Sequence, residues 1–444
     1  MRWIVYNVLF VVGYLLMAPG FLLRMTRRGG YGRHFRQRFG RYGALTRERM
    51  AGAGLKPDDR PIWIHAVSVG EVYVAWQVMH ALRAKRPGTR FVLSTTSSTG
   101  WREAEKRIRA EDLLIYNPLD FPVCVRRALD AIQPRAFILT ESEIWPNLIR
   151  ACSRRRIPVF LVNGRISDRS APRYRLLRYW FAPVLRQFTR LLAQSDLDRQ
   201  RLLDAGAAAA QVVVTGSVKF DVARRDPAKE QMAAALLGRL DMGAGRTILL
   251  GGSTWPGEEE ILLDIYRRLQ PQFPELRLVL VPRHFERGDA VAAAIGKAGF
   301  TCIRKSLLDA GAAPAACGAS AVLLVNTTGE MMGFYAHAAL VFIGKSLTSH
   351  GAQNMIEPCL CGRATLVGPF TQNFRPVMAD LLAAQAIVQV PDAAGLEREI
   401  AGLLADPARR EALGRRAADA VQRRRGVVGR CADLILQGMG DCRP

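Results

Sequence analysis

From Ile62 onward, short runs of β-branched and aliphatic residues alternate with longer stretches of helical periodicity, the pattern of parallel α/β architecture. Strands are expected at IWIHA (62–66), RFVLST (90–95), LLIYNP (113–118), AFILTE (136–141), PVFLVNG (158–164), LLAQS (191–195) and VVVTGS (212–217). Helices are expected between them, as at 71–86, 143–155 and 173–188. The alternation breaks over 221–246, a polar, Ala/Gly-rich stretch with no strand pattern. It resumes at TILLGGS (247–253) and runs through RLVLVPR (277–283), AVLLVN (321–326), LVFIGK (340–345), ATLVGP (364–369) and AIVQV (386–390). The pattern predicts two Rossmann-like domains facing a central cleft, over 43–222 and 247–420, joined by a linker at 223–246 and followed by a helical tail at 421–444. Open α/β sheets bind ligands beyond the carboxyl ends of their strands, so the loops that follow strands are where chemistry is expected.

Ahead of the first strand, WIVYNVLFVVGYLLMAPGFLL (3–23) carries no charge and is about as long as a bilayer-spanning helix. Arginines follow at 24, 27, 28, 33, 36, 38 and 41, with no acid before Glu48. Residues 1–42 are therefore expected to form a membrane anchor with a basic flank, and the flank places the rest of the chain on the cytoplasmic side. A cleaved signal peptide is the rival reading, since MAPG resembles a small-residue cleavage region; the basic flank opposes translocation. Asn7, Gly13, Pro19 and Gly20 interrupt the apolar run, so a helix lying in the interface is an alternative to a span.

Composition narrows the function. Hydrophobic residues make up 49% of the 444 and charged residues 23%, as in globular proteins rather than disordered ones. The net charge of +24 is carried mainly by arginine, whose planar fork suits phosphate and carboxylate, and so points to an anionic partner. Nucleic acid is not the expected one, because the basic residues are spread along the chain and no aromatic single-strand platform accompanies them. The eight cysteines are scattered without a CxxC, and the six histidines form neither HExxH nor HxxxH. Neither a disulfide framework nor a metal is expected, and no cofactor. Gly344-Lys345-Ser346 is not a P-loop, because position 339 is Ala, and no GxGxxG follows a strand.

The loops after the strands are unusually polar: VSVGE (67–71), STTSSTG (94–100), ESEIWPN (141–147), NGRISDRS (163–170) and TGSVKFD (215–221) in the first half. GGSTWPGEEE (251–260), PRHFER (282–287), TTGEMM (327–332), GKSLTSHGAQNMIEP (344–358) and GPFTQNF (368–374) follow in the second. Glu71, directly after a glycine at a strand-to-helix hinge, is open to two readings. Ser68 and Glu71 fit a capping box, as do Thr140 with Glu143 and Ser195 with Asp198. For a glutamate in this position taken alone, capping is the favoured reading, and the alternative is a functional carboxylate at the strand end. STTSSTG reads as a hydroxyl-rich turn or an anion site. Lys345 reads as a pocket cation or a solvated side chain; Trp63, Trp145 and Trp255 read as packing. His65 and His284 read as core residues or ligand contacts.

Taken in order, HAVSVGE, TESEIWPNLI, NGRISDRS, AQSDLDRQRLLDAGA, VTGSVKFD, VPRHFER, TTGEMM, FIGKSLTSHGAQNMIEP and GPFTQNF resemble the lipopolysaccharide Kdo (3-deoxy-D-manno-octulosonic acid) transferases over essentially the whole chain. The resemblance implies a GT-B fold and transfer of Kdo from CMP-Kdo to the tetraacylated lipid A precursor at the cytoplasmic face of the inner membrane. It implies that Glu71 is the general base and that Glu141 and Lys219 stabilise the transition state. It places CMP contacts at Pro282 and Arg283, at Thr328, Gly329 and Glu330, and at Asn354, Met355, Ile356 and Glu357. The chain departs from the family pattern at Gly344-Lys345-Ser346, where Gly-Gly-Ser is frequent, and at Gly351-Ala352-Gln353-Asn354, where Gly-Gly-His-Asn is frequent. A direct inverting displacement needs one base, and the departing CMP anion needs N–H groups and cations, a part that Lys219 and Arg283 can fill.

Overall fold

The structure, a computed structural model, describes residues 2–28, 32–43, 60–314 and 318–440. Glu48, Cys317, Cys442 and the side chains of Arg24, Arg27, Arg28 and Arg33 lie outside the described residues. The chain divides into two compact units, Met1–Val218 with Gly426–Pro444, and Lys219–Arg425.

The first unit holds a seven-stranded sheet in the order β3-β2-β1-β4-β5-β6-β7. Its strands are β1 (Ile62–His65), β2 (Phe91–Thr95), β3 (Leu113–Tyr116), β4 (Ala136–Thr140), β5 (Val159–Gly164), β6 (Arg190–Ala193) and β7 (Val212–Val214), all paired parallel. Parallel strands are covered on both faces, which is why β1, β2, β4 and β5 are buried at every position and mostly apolar rather than alternating. Strand order reverses between β1 and β4, which lie side by side with Ile64 opposite Ile138.

The second unit repeats the arrangement in the order β10-β11-β9-β8-β12-β13-β14. Here β8 (Thr247–Thr254) pairs with β9 (Leu276–Pro282) and with β12 (Leu340–Ile343), and the reversal falls between β8 and β12. The remaining strands are β10 (Thr301–Arg304), β11 (Ala321–Leu324), β13 (Ala364–Val367) and β14 (Val388–Gln389). β10 is the strand the apolar pattern did not signal: TCIR is short, an edge, and only Ile303 is buried. The segment read as a linker contains the helix Pro227–Arg239, capped by Asp226 and packed on the helix Met331–Tyr335 of the second unit. Of the tail, the helix Val427–Gly440 belongs to the first unit and packs on the helix Val69–Lys85.

The N-terminal apolar run forms the helix Arg2–Arg28, but among the described residues no helix is long and apolar enough to cross a membrane. The spanning reading is thus not supported; one stripe of the helix is polar or aromatic and packs against the rest of the first unit. Tyr6 donates to Asp120 Oδ2 at 2.8 Å, Asn147 Nδ2 donates to Asn7 Oδ1 at 2.7 Å, and Phe10 and Tyr14 pack edge-on against Phe121. Arg150 lies over the Trp3 ring. The opposite stripe, Ile4, Val8, Leu9, Val12, Leu15 and Leu16, is exposed. Nor is the basic flank wholly a free collar. Arg38 is buried, donating to Thr96 O and stacking on Tyr116, whereas Arg36 and Arg41 are exposed.

Candidate active site

Glu71 stands at the sheet's switch point in the first turn of Val69–Lys85, just after β1. Ser68 caps this helix, accepting the Glu71 N–H at 3.3 Å, and its hydroxyl donates back to Glu71 Oε1 at 3.0 Å. The Val67 N–H donates to Oε2 at 3.1 Å, and the Thr140 hydroxyl at the end of β4 lies 3.2 Å from the same oxygen and 2.9 Å from His65 O. A carboxylate offers about four acceptor positions; Val67 and Ser68 fill one on each oxygen, the single Thr140 proton is shared between Oε2 and His65 O, and a position on Oε1 stays open. The residue is 9% exposed. Burial raises its pKa above the ordinary glutamate value; the Val67 hydrogen bond opposes this, and the nearby Glu141 and Glu143 charges add to the rise.

The hydroxyl-rich turn after β2 proves to be a brace for this loop. Ser97 caps the helix Ser98–Glu105 and donates to Val67 O at 2.7 Å, and a Cβ at Gly100 would come within 2.8 Å of that same carbonyl. Only glycine lets the two backbones approach so closely.

Glu141 follows β4 with φ +60, a left-handed conformation that costs a non-glycine residue. Its N–H continues the sheet ladder to Val162 O at 2.9 Å, and Oε1 accepts from Asn163 Nδ2 at 3.4 Å. Asn163, itself at φ +57 and fully buried, also accepts the Val218 N–H at 3.1 Å. Thr140 and Asn163 are positioning residues that sequence reasoning missed. Thr140 fits a cap template with Glu143 in the sequence, but the helix there begins at Pro146 after Trp145, and the hydroxyl turns inward to Glu71 and His65 O. The other two capping expectations hold: Ser68 and Ser195 both accept the N–H three residues on. His65 is buried, its Nδ1 2.9 Å from Ser94 Oγ and its Nε2 3.8 Å from Glu143 Oε2.

The remaining predicted residues lie in the second unit, along the carboxyl edge of its sheet. Lys219 opens the short helix Lys219–Val222, reaches Asn373 O at 3.4 Å and stands over the Phe374 ring. Pro282 closes β9 and is buried, while Arg283 is exposed with its N–H on Thr254 O. Thr328, Gly329 and Glu330 follow β11; Gly329 has φ +85, and Glu330 is held by Thr327 and by Lys305 Nζ at 2.9 Å. Asn354 bridges the Ile356 N–H and Glu357 Oε1 at 3.1 and 3.0 Å. Burial raises the Glu357 pKa, against the Asn354 hydrogen bond. Met355 and Ile356 are fully buried, so their side chains belong to the core rather than to a ligand surface. Lys345 is neither lone nor simply solvated, since its Nζ lies 4.7 Å from the centre of the Trp255 ring, against which His284 also packs. Among the described residues no group of three His, Cys, Asp or Glu side chains is arranged to hold a metal.

A sequence model of the family described as 3-deoxy-D-manno-octulosonic-acid transferase (kdotransferase) matches residues 33–222. The chain is 35% identical over 427 residues to a 3-deoxy-D-manno-octulosonic acid transferase of Bordetella pertussis, covering 94% of this chain and 95% of that one. It is 31% identical over 406 residues to the protein of that name in Haemophilus influenzae, covering 91% of each. Among solved structures, UDP-GlcNAc 2-epimerase from Neisseria meningitidis matches with a TM-score of 0.57 at 13% identity, over 86% of this chain and all (100%) of that one. A glycosyltransferase from Rickettsia africae matches with a TM-score of 0.56 at 12% identity, over 86% of this chain and 98% of that one. These last two likenesses are of fold: paired parallel-sheet α/β domains like those of GT-B glycosyltransferases.

Proposed function

The chain belongs to the 3-deoxy-D-manno-octulosonic acid (Kdo) transferase family, and from that premise we propose that it moves Kdo from CMP-Kdo to the phosphorylated, acylated disaccharide precursor of lipid A, with inversion. The observation that carries the mechanism is Glu71: a buried carboxylate with a raised pKa, held by Val67, Ser68 and Thr140 and with one acceptor position open. An acceptor hydroxyl is too weak an acid to ionise near neutrality, so its proton passes to Glu71 as its oxygen bonds to the anomeric carbon. The bond from that carbon to the CMP phosphate breaks, and CMP leaves with the electron pair. Positive charge is needed there and at the sugar carboxylate; Lys219 and Arg283 supply it, and Glu141 stabilises the charge developing at the reacting centre. Arg283, the exposed Thr328–Gly329 turn, Glu330, Asn354 and Glu357 hold CMP, with Pro282, Met355 and Ile356 shaping the loops from beneath. One base suffices for a single displacement, so no metal or cofactor enters the scheme.

The acceptor's acyl chains lie in a bilayer, and we place the enzyme at the cytoplasmic face of the inner membrane; the exposed stripe of Arg2–Arg28 supports attachment to a lipid surface. A soluble surface rarely carries so long an apolar stripe. Leu176, Leu177, Tyr179 and Trp180 extend it, since Arg2 stacks on Tyr179, and Arg36 and Arg41 add exposed positive charge. In this reading the helix lies in the interface, its polar stripe turned to the protein and its apolar stripe to lipid.

The test is CMP release from CMP-Kdo in the presence of the lipid A precursor, with UDP-sugars as competing donors. Turnover confined to CMP-Kdo, with one inverted anomeric product, is the expected result. Turnover with a UDP-sugar, or retention at the anomeric centre, refutes the scheme.

A further inference from the structure

Glu258 and Glu259 open the helix Glu258–Leu269, directly after β8, and both are buried to 1% exposure or less. Glutamates are almost never so buried unless fully partnered. Glu258 Oε2 accepts the N–H groups of Trp255 and Lys345 at 2.9 and 2.8 Å, and Oε1 accepts those of Ser346 and Leu347, both at 3.0 Å. All of its acceptor positions are thus filled by backbone. Three successive amides of the loop after β12 form a nest of the kind that receives anions, and the protein's own carboxylate occupies it. This happens at the β8/β12 switch point, where such sheets commonly take their ligands.

Glu259 faces the other way. Its Oε1 accepts from Thr254 Oγ1 at 2.8 Å and from Arg287 Nη1 at 2.8 Å, while Oε2 accepts from Arg287 Nη2 at 3.1 Å. Arg287 ends the turn that carries Arg283 and His284 away from β9. The two adjacent carboxylates therefore fix the two loops flanking β8. Trp255 contacts both of these loops, with the His284 ring centre 5.2 Å from its own and Lys345 Nζ 4.7 Å from it.

We propose that Glu258 and Glu259 are positioning residues for the nucleotide-sugar donor: Glu258 holds the 344–354 loop that leads to Asn354, and Glu259, through Arg287, holds the loop that presents Arg283. The proposal rests on the donor reading given above. It also moves the donor's phosphate away from the Lys345–Leu347 amides, which are already satisfied, and toward the loops after β9 and β11. Apolar side chains would fill this space at less desolvation cost. What the carboxylates add is direction: each loop amide and the Arg287 fork must lie where a fixed oxygen meets it.

The experiment measures CMP affinity by calorimetry on the full chain, and KM for CMP-Kdo, in wild type, Glu258→Gln, Arg287→Met, Arg287→Lys and Arg283→Ala. In Glu258→Gln the amide group turns N–H toward N–H, and in Arg287→Met the fork is lost. Each is expected to weaken CMP binding about tenfold, the size of one charged hydrogen bond. KM for CMP-Kdo rises with it, kcat at saturating donor changes less, and Arg287→Lys recovers part of the loss. A folded Glu258→Gln with wild-type CMP affinity overturns the proposal. If Glu258→Gln does not fold, Arg287→Met decides, because Arg287 is only half-buried, and its unchanged affinity overturns the proposal just as well. Arg283→Ala separates the two levels. If it leaves CMP binding intact, the donor reading has failed and the positioning role with it; if it weakens binding while the Glu258 and Arg287 variants do not, only the positioning role has failed.

Discussion

Ser68 and Glu71 are bound to each other twice, the Glu71 N–H donating to Ser68 Oγ at 3.3 Å and the Ser68 hydroxyl donating to Glu71 Oε1 at 3.0 Å. The helix cap and the candidate base are thus one geometry and not alternatives. Capping turns the side chain back over the loop, where Val67 and Thr140 complete its environment. A solvent-facing glutamate one turn further along could do neither.

Glu71→Gln follows from this directly. Glutamine keeps the shape and can hydrogen-bond to Val67 and Ser68, but it cannot take a proton. Turnover is expected to fall a hundredfold or more. A carboxylate whose folded pKa is raised destabilises the fold when ionised, so removing that charge should leave the melting temperature at pH 7.5 unchanged or higher. Retained turnover would show that Glu71 only starts a helix, and Glu141 would be the next base to test.

The raised pKa also sets a pH profile. A base works ionised, so the acid limb of kcat should lie above the ordinary glutamate value of about 4.3. Burial is the largest cause, but Glu141 and Glu143 contribute by repulsion. Glu141→Gln removes one of those charges and should move the limb to lower pH, whatever it does to the size of kcat. A kcat profile from pH 4 to 9 for both proteins checks it; a limb that stays in place would detach Glu141 from Glu71.

Much of this was legible in the sequence. Of the fourteen strands among the described residues, thirteen are readable from apolar runs, because both faces of each sheet are covered and the runs are largely continuous. β10 escaped because an edge strand with one buried residue carries almost no pattern. The Ser68 cap could be read because its spacing is local. Thr140, Asn163, Ser97 and Glu258 could not, because their partners are 69, 55, 30 and 87 or more residues distant. For Thr140 a valid local template even points to Glu143, whereas the structure turns the hydroxyl to Glu71. The apolar length of 3–23 suggested a span. That its Trp3, Tyr6, Asn7, Phe10 and Tyr14 form one docking stripe is a matter of which face meets Asp120 and Phe121, and length alone does not register it.

Asp120 gives a second pH effect, separate from catalysis. It is buried beneath the N-terminal helix and accepts from the Tyr6 hydroxyl and from the Asn147 and Leu148 N–H groups, yet burial outweighs these and its pKa is pushed up to about 7. The unfolded value is about 3.9, so between about pH 4 and 7 the folded state holds a proton that the unfolded state releases. Stability contributed at this site therefore falls as pH rises through that window. The melting temperature of wild type relative to Asp120→Asn should drop as pH rises from 4 to 8. A constant difference would mean that Asp120 is ionised throughout.

The interfacial helix makes the last prediction. Leu9 and Leu16 are 65% and 78% exposed, so they contribute little to the fold, and Leu9→Asp with Leu16→Asp should leave the melting temperature near wild type. In an interface each leucine would bury apolar area worth roughly 1.5–3 kcal/mol, so the pair should cost vesicle binding a hundredfold or more. Co-sedimentation with vesicles of zwitterionic lipid isolates this apolar contribution. Vesicles with added anionic lipid bring in Arg36 and Arg41, each adding about 1 kcal/mol that salt then removes. Binding lost in both kinds of vesicle places the apolar stripe in the bilayer. Binding to anionic vesicles that the double variant leaves unchanged would assign membrane attachment to charge alone and leave the exposed stripe without a lipid role.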